Sequence, residues 1–152
     1  MRLVVQRVTS ASVTISGREV GAIGRGLLVL LGIERGDTAE AGAWLARKLS
    51  AARLFPDDSG KLNRNLHEVG GRALVVSQFT LFGTLDKGTR PDFHRAASPD
   101  AARVLYETFL GQLEAELLEP VARGEFGADM QVALVNDGPV TLILDSPKPQ
   151  NS

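Results

Sequence analysis

Leu27-Leu28-Val29-Leu30-Leu31-Gly32-Ile33 is the stretch on which the fold turns. Its side chains are apolar without alternation, so neither face is suited to water. Such a run reads as a central strand buried on both faces. A strand of that kind needs partners and covering layers, and the flanking sequence supplies them. Upstream, Val4, Gln6 and Val8, then Val13 and Ile15, show patches of strand alternation. Ser16-Gly17 is a turn signal between Val13-Thr14-Ile15 and Glu19-Val20. Downstream, Asp37 or Thr38 can cap a helix, and Glu40 puts negative charge in its first turn. Ala41, Leu45, Leu49 and Ala52 follow at helical spacing, with Trp44 beside them.

Further out, Pro56-Asp57-Asp58-Ser59-Gly60 is a turn and Gly70-Gly71 a break. Ala73-Leu74-Val75-Val76 begins a second buried strand that runs into Ser77-Gln78-Phe79-Thr80-Leu81. Residues 82–98 read as a polar, irregular loop, and a loop of that length in a compact domain is usually functional or mobile. Ser98-Pro99 opens a second helix whose buried stripe is Leu105, Phe109, Leu113 and Leu117. Met130 to Val135 alternates as a strand. Asn136-Asp137-Gly138-Pro139 reads as a turn, with Val140 to Leu144 returning as the second arm of a hairpin. The expected fold is α+β: a single domain with a mixed or mostly antiparallel sheet and two main helices. It should occupy residues 1–146, with 147–152 a disordered tail.

Composition narrows the function. A chain of 152 residues that is 43% hydrophobic can bury a core as one domain. The absence of cysteine removes thiolate metal sites and cysteine nucleophiles, and fits a reducing compartment. Gln6 and Arg7 interrupt the apolar N-terminal residues, and Leu27 to Leu31 is too short to span a bilayer. The expectation is a soluble, cytoplasmic protein with no membrane partner. A net charge of −1 argues against clamping a long nucleic-acid duplex, but leaves room for gripping one strand end with a few arginines.

The two histidines, His67 and His94, stand in no HxxxH or HExxH pattern, and GxSxG, P-loop and GxGxxG motifs are absent. No metal or cofactor is expected. Two segments depart from a plain core. In Ser77-Gln78-Phe79-Thr80, polar groups end an apolar strand. There Gln78 offers an amide, Ser77 and Thr80 offer hydroxyls, and free backbone N–H groups could hold an oxyanion. The alternative is that the hydroxyls only satisfy nearby backbone. In Asn136-Asp137-Gly138-Pro139-Val140-Thr141, proline cannot donate to a ladder and glycine admits unusual backbone angles. The alternative there is an ordinary hairpin turn.

Together these segments resemble the SQFTL-like and NxGPVT-like motifs of the bacterial and eukaryotic D-aminoacyl-tRNA deacylases. Val5-Gln6-Arg7-Val8, Ala11-Ser12-Val13, the stretch from Val20 to Gly32, Lys87-Gly88-Thr89-Arg90-Pro91 and Phe126-Gly127-Ala128-Asp129-Met130 also match in order. The resemblance runs from the start of the chain to about Ser146. It implies the D-aminoacyl-tRNA deacylase fold and a homodimer that binds the aminoacylated 3′ end of tRNA. In the family the Gly-Pro bond is cis and its loop enters the partner's active site. Gly138 and Pro139 would there present carbonyls that accept from a D-amino acid and clash with an L side chain. Glycine would also be accepted. Asn136, Val140 and Thr141 belong to the same substrate-binding motif. Arg7 would fix it, and Met130 and Phe79 would line the pocket.

For bond breaking, the resemblance favours hydrolysis assisted by the 2′-OH of the terminal adenosine, with an oxyanion hole around Gln78-Phe79-Thr80. Thr80 as a covalent nucleophile is the rival, and it requires an activating base. The chain departs from the family pattern at Asp92, at Phe82 to Asp86 and at Asn63 to Leu66. Arg64, Lys87, Arg90 and Arg95 are candidate phosphate contacts, with solvated surface charge as the alternative for each. Two other function classes remain at this point: a non-catalytic RNA- or DNA-binding module, and an esterase or thioesterase for small acyl substrates.

Overall fold

The computed structural model describes residues 1–148. The chain order is β1 (Arg2–Ile15), β2 (Arg18–Ile23), β3 (Gly26–Gly32), α1 (Ala39–Ala51), β4 (Phe55–Pro56) and β5 (Leu62–Arg64). Then come β6 (Arg72–Ser77), a 3₁₀ turn (Phe79–Phe82), α2 (Pro99–Leu117), β7 (Ala122–Arg123) and β8 (Gln131–Asp145). The main sheet has the path β2-β1-β3-β6-β7, with β8 added on β1. It is mixed, because β3–β6 and β6–β7 are parallel and the other pairs antiparallel. The expected α+β domain with two main helices is the one that forms. The tail expected at 147–152 lies mostly outside the described residues.

The apolar run around β3 has the predicted cause. Leu27, Val29 and Leu31 join Leu3, Val5 and Val75 in a core closed by Leu45, Leu49, Tyr106, Phe109 and Leu113 of the helices. Leu28 of the same strand faces the other way, with Val8, Val13, Ile23, Leu74 and Val76. That second cluster is enclosed because the sheet curls until β2 meets β7. A Cβ placed on Gly21 would sit 2.6 Å from the Arg123 carbonyl. The result is a near-barrel with two helices packed on one face.

The caps follow the sequence. Thr38 rather than Asp37 caps α1, its Oγ1 accepting from the Ala41 N–H at 3.4 Å. Asp37 instead accepts from the Glu34 N–H and from the Met1 ammonium. Ser98 stands at the N-cap of α2 with Pro99 behind it. The β1–β2 turn falls at Ser16-Gly17, both at positive φ (49° and 76°), as a tight hairpin demands. Among the described residues, no helix is long and apolar enough to cross a membrane.

One expectation fails. Asn136-Asp137-Gly138-Pro139 does not reverse the chain, and Val140 to Leu144 is not a second hairpin arm. Residues on both sides belong to one strand, β8, which runs antiparallel along the whole of β1. Thr141 pairs Gln6 and Asn136 pairs Val8, so residues 137–140 bulge out opposite the single residue Arg7. The physical reason lies in β1. At 14 residues it offers one continuous edge to both halves of β8. Keeping that ladder satisfies more backbone than a reversal would.

Candidate functional site

The apolar strand β6 delivers the first segment. It ends at Ser77, and the chain tightens at once into the 3₁₀ turn Phe79–Phe82, with Gln78 at its cap. The sequence expectation of a frayed strand through Leu81 is corrected accordingly. The turn anchors itself by three bonds: Gln78 N–H to Leu31 O at 2.8 Å, Leu81 N–H to Gln78 O at 3.2 Å and Gly83 N–H to Thr80 O at 2.9 Å. The opening turn of any helix leaves donors without intrahelical partners. Here those are the N–H groups of Phe79 and Thr80, which meet no acceptor among the described residues. The Gln78 amide Nε2 donates to Thr80 Oγ1.

This turn borders a cavity of about 940 Å³. Ser77 lines it from the end of β6, Gln78 and Phe79 from the cap and first residue of the turn, Met130 and Val132 from the entry to β8, and Leu105 from α2. Phe93 and Phe126 complete its aromatic wall. The ring of Phe93 meets that of Phe79 edge-on, centroids 5.1 Å apart. Phe93 escaped the sequence reading because residues 82–98 gave no periodicity. Its signal was an aromatic side chain in an otherwise polar loop. Asp92 fixes it: its Oδ1 accepts from the His94 N–H at 2.7 Å and contacts His94 Nδ1 at 2.8 Å, which holds the Asp92 carboxyl below its usual range. Asp92, where the chain departs from the family pattern, thus braces the residue beside it.

The second segment is elsewhere. Asn136, Gly138, Pro139, Val140 and Thr141 do not line the cavity of their own chain. Gly138 and Pro139 are exposed, and the peptide bond between them is cis. Residues 137–140 have no ladder partner among the described residues, yet they are braced from both sides. Asn136 spans the bulge, its Oδ1 accepting from the Val140 N–H at 3.1 Å and its Nδ2 donating to Thr141 Oγ1 at 2.9 Å. From below, Arg7 donates Nε to Asp137 O at 3.1 Å and Nη1 to Leu54 O at 2.8 Å, and its Nε lies 3.4 Å from Asp137 Oδ2. Arg7 is only 8% exposed, so it is no surface arginine. Gly138 has φ 129°, and a Cβ there would lie 2.9 Å from Val140 Cγ2 and 3.0 Å from Val140 N.

The structure therefore gathers Ser77, Gln78, Phe79 and Met130 at one cavity, sets Thr80 beside it, and places Arg7 and the 136–141 group at a separate surface. On either side of the bulge, β8 carries exposed Val135 (56%), Leu142 (42%) and Ile143 (64%). Among the described residues no three His, Asp or Glu side chains come together as metal ligands would. Of the candidate phosphate contacts, Arg64 is held by Asp58 at 2.9 Å and Arg95 by Glu34 at 2.7 Å. Lys87 and Arg90 are exposed on the 82–98 loop and do not reach the cavity lining.

Comparison with known proteins gives a consistent picture. A family model described as D-Tyr-tRNA(Tyr) deacylase matches residues 4–145. A D-aminoacyl-tRNA deacylase of Chlorobaculum tepidum is 55% identical over 148 residues, which cover 97% of this chain and 99% of the relative. That of Opitutus terrae is 56% identical over 146 residues, 96% of this chain and 97% of the relative. Among solved structures, a c-Myc DNA unwinding element binding protein superposes with a TM-score of 0.90 at 45% identity, covering 97% of this chain and 100% of that one. A probable eukaryotic D-amino acid tRNA deacylase superposes with a TM-score of 0.79 at 21% identity over 95% of this chain and 98% of that one, a likeness of fold alone.

Proposed function

This chain belongs to the D-Tyr-tRNA(Tyr) deacylase family and is an ester hydrolase acting on D-aminoacyl-tRNA, and on that premise we propose how its two motifs divide the work. The 940 Å³ cavity receives the aminoacylated 3′ end, and the carbonyls of Gly138 and Pro139 reach into it from a second copy of the chain. The observation that carries this reading is the separation of the two segments. An exposed, unpaired and doubly braced backbone loop has no use for its own cavity, but it has the rigidity to fill another. The exposed apolar side chains of β8 support the same arrangement, because a symmetric partner would cover them.

In that assembly the loop acts as a chiral filter. Its carbonyls accept from the amino group of a D-aminoacyl ester, and an L-amino acid would turn its side chain into the same backbone. No side chain is read, so many D-amino acids and achiral glycine pass. The ester carbonyl points at the N–H groups of Phe79 and Thr80, which stabilise the oxyanion without a charged residue. Water attack is assisted by the neighbouring 2′-OH of the terminal adenosine. Against covalent catalysis stands the Thr80 hydroxyl, which accepts from the Gln78 amide, a group unable to take its proton.

The test is release of tyrosine from D-Tyr-tRNA, L-Tyr-tRNA and a D-Tyr-tRNA ending in 2′-deoxyadenosine. Release from the first alone is expected. Turnover of the L-ester would sink the filter, and turnover of the deoxy substrate the 2′-OH step. A second reading comes from the 45%-identical structure, whose name describes a DNA unwinding element binder. On that reading the pure protein would bind single-stranded DNA and release no amino acid from any ester.

A further inference from the structure

We infer that Arg35 is the residue through which this cavity grips a backbone phosphate of its RNA substrate, an inference that rests on the tRNA-ester reading above. Arg35 lines the cavity just past β3 and is exposed. It is not loosely placed: its backbone N–H donates to Arg95 O at 2.9 Å, and its Nε donates to Ala96 O at 3.4 Å. The guanidinium is thereby held on the segment that precedes α2, at the cavity wall.

The charge balance around it singles it out. Glu34 accepts two bonds from Arg95, at 2.9 and 2.7 Å. Asp37 accepts from the Met1 ammonium at 2.5 Å, and Asp145 takes both arms of Arg2 at 2.7 and 3.0 Å. These neighbouring carboxylates and cations cancel one another. Among the described residues Arg35 has no carboxylate within ion-pair reach, so its charge stands uncompensated in the cavity lining. Among the described residues Asp129, on the segment that carries Met130, is the other lining charge without an ion pair.

The chemistry of the substrate says what such a charge meets. When the terminal aminoacyl-nucleoside occupies the cavity, the next group along the strand is a phosphodiester at its mouth. A guanidinium fork suits phosphate oxygens. Of the arginines that sequence nominated, Arg64 is occupied by Asp58 and Arg95 by Glu34, and Arg90 does not line the cavity.

The experiment compares Arg35→Ala, Arg35→Lys and, as a control at an exposed arginine outside the cavity lining, Arg18→Ala on two substrates: D-Tyr-tRNA and the D-tyrosyl ester of adenosine, which has no phosphate. Arg35→Ala should lower kcat/KM on D-Tyr-tRNA about fivefold, through KM with kcat unchanged, and Arg35→Lys should recover most of it. The slope of log kcat/KM against log salt should become shallower by about 0.7, one single-strand phosphate contact. Activity on the adenosine ester should not change. Equal losses on both substrates, or no loss on tRNA, would overturn the assignment. If the small ester turns over too slowly to compare, the salt slope decides alone. A wild-type protein inactive on both esters would instead sink the deacylase reading, and this inference with it.

Discussion

The segments Ser77–Phe82 and Asn136–Thr141 both break a strand with polar residues, yet they end in opposite situations. The first closes a buried parallel strand and tightens into a turn beside a cavity in its own chain. The second interrupts an edge strand, loses four residues from the ladder and turns its backbone outward. In the proposed mechanism one supplies donors and the other acceptors. In a single chain they never meet. On the proposed reading, the contrast teaches that half of an active site can look like a surface irregularity when only one copy is in view. It also explains why the bulge is so firmly held. In the proposed role the loop rejects substrates by a clash and cannot move out of the way, and Arg7 and Asn136 remove that freedom.

Gly138→Ala gives the largest expected effect on this contrast. At φ 129°, with Val140 Cγ2 2.9 Å from the new Cβ, the bulge must shift while the cavity stays intact. Deacylation of D-Tyr-tRNA should fall on the order of 100-fold with little loss of thermal stability. Wild-type rates from this variant would show the bulge to be decoration. Arg7→Leu comes next, since it leaves the Asp137 and Leu54 carbonyls without their donor. Urea denaturation should register a loss of about 2–3 kcal/mol, and chiral discrimination should weaken. Unchanged discrimination would mean that the brace is structural only.

Thr80→Ala should cost less than about tenfold in single-turnover rate, because the account uses the N–H of residue 80 and not its hydroxyl. A loss of several orders of magnitude would make Thr80 the nucleophile and move the chemistry wholly into the first segment.

The smallest effect concerns β6 itself. Tyr106 donates to Val75 O at 3.3 Å, and burial, then Glu107, push its pKa up to about 12. A raised phenol favours the neutral form in the folded state. Its contribution is therefore complete below pH 10, the unfolded value, and is lost as pH rises toward 12. Since the chain has a single tyrosine, absorbance near 295 nm reads this group alone. A midpoint near 10 in the folded protein would show that β6 is not sealed at this point.

Much of this was legible beforehand. The apolar run at Leu27 to Ile33, the Thr38 cap, the Ser16-Gly17 hairpin and the Leu105, Phe109, Leu113 stripe each follow from local rules that tertiary contacts reinforce. The course of β8 did not. A hairpin and a bulge both call for glycine and for a residue without an N–H. The choice between them rests on whether a long partner edge is available, which local pattern does not report. Arg7 was legible as a brace only through resemblance, since an arginine on a strand is usually exposed. Phe93 and Arg35 were missed because their importance depends on which segments the fold brings to the cavity wall.

Subunit mixing tests whether each site is built from two chains. Ala97→Trp would fill the cavity and leave the bulge intact, while Gly138→Ala would disable the bulge and leave the cavity intact. Each alone should be nearly inactive on D-Tyr-tRNA. Unfolded together in equal amounts and refolded, half of the dimers would be mixed and each of those would hold one sound site. Recovery of about a quarter of wild-type activity is expected. Activity no greater than the mean of the two parents would contradict it, and would mean that cavity and bulge act within one chain or not together at all.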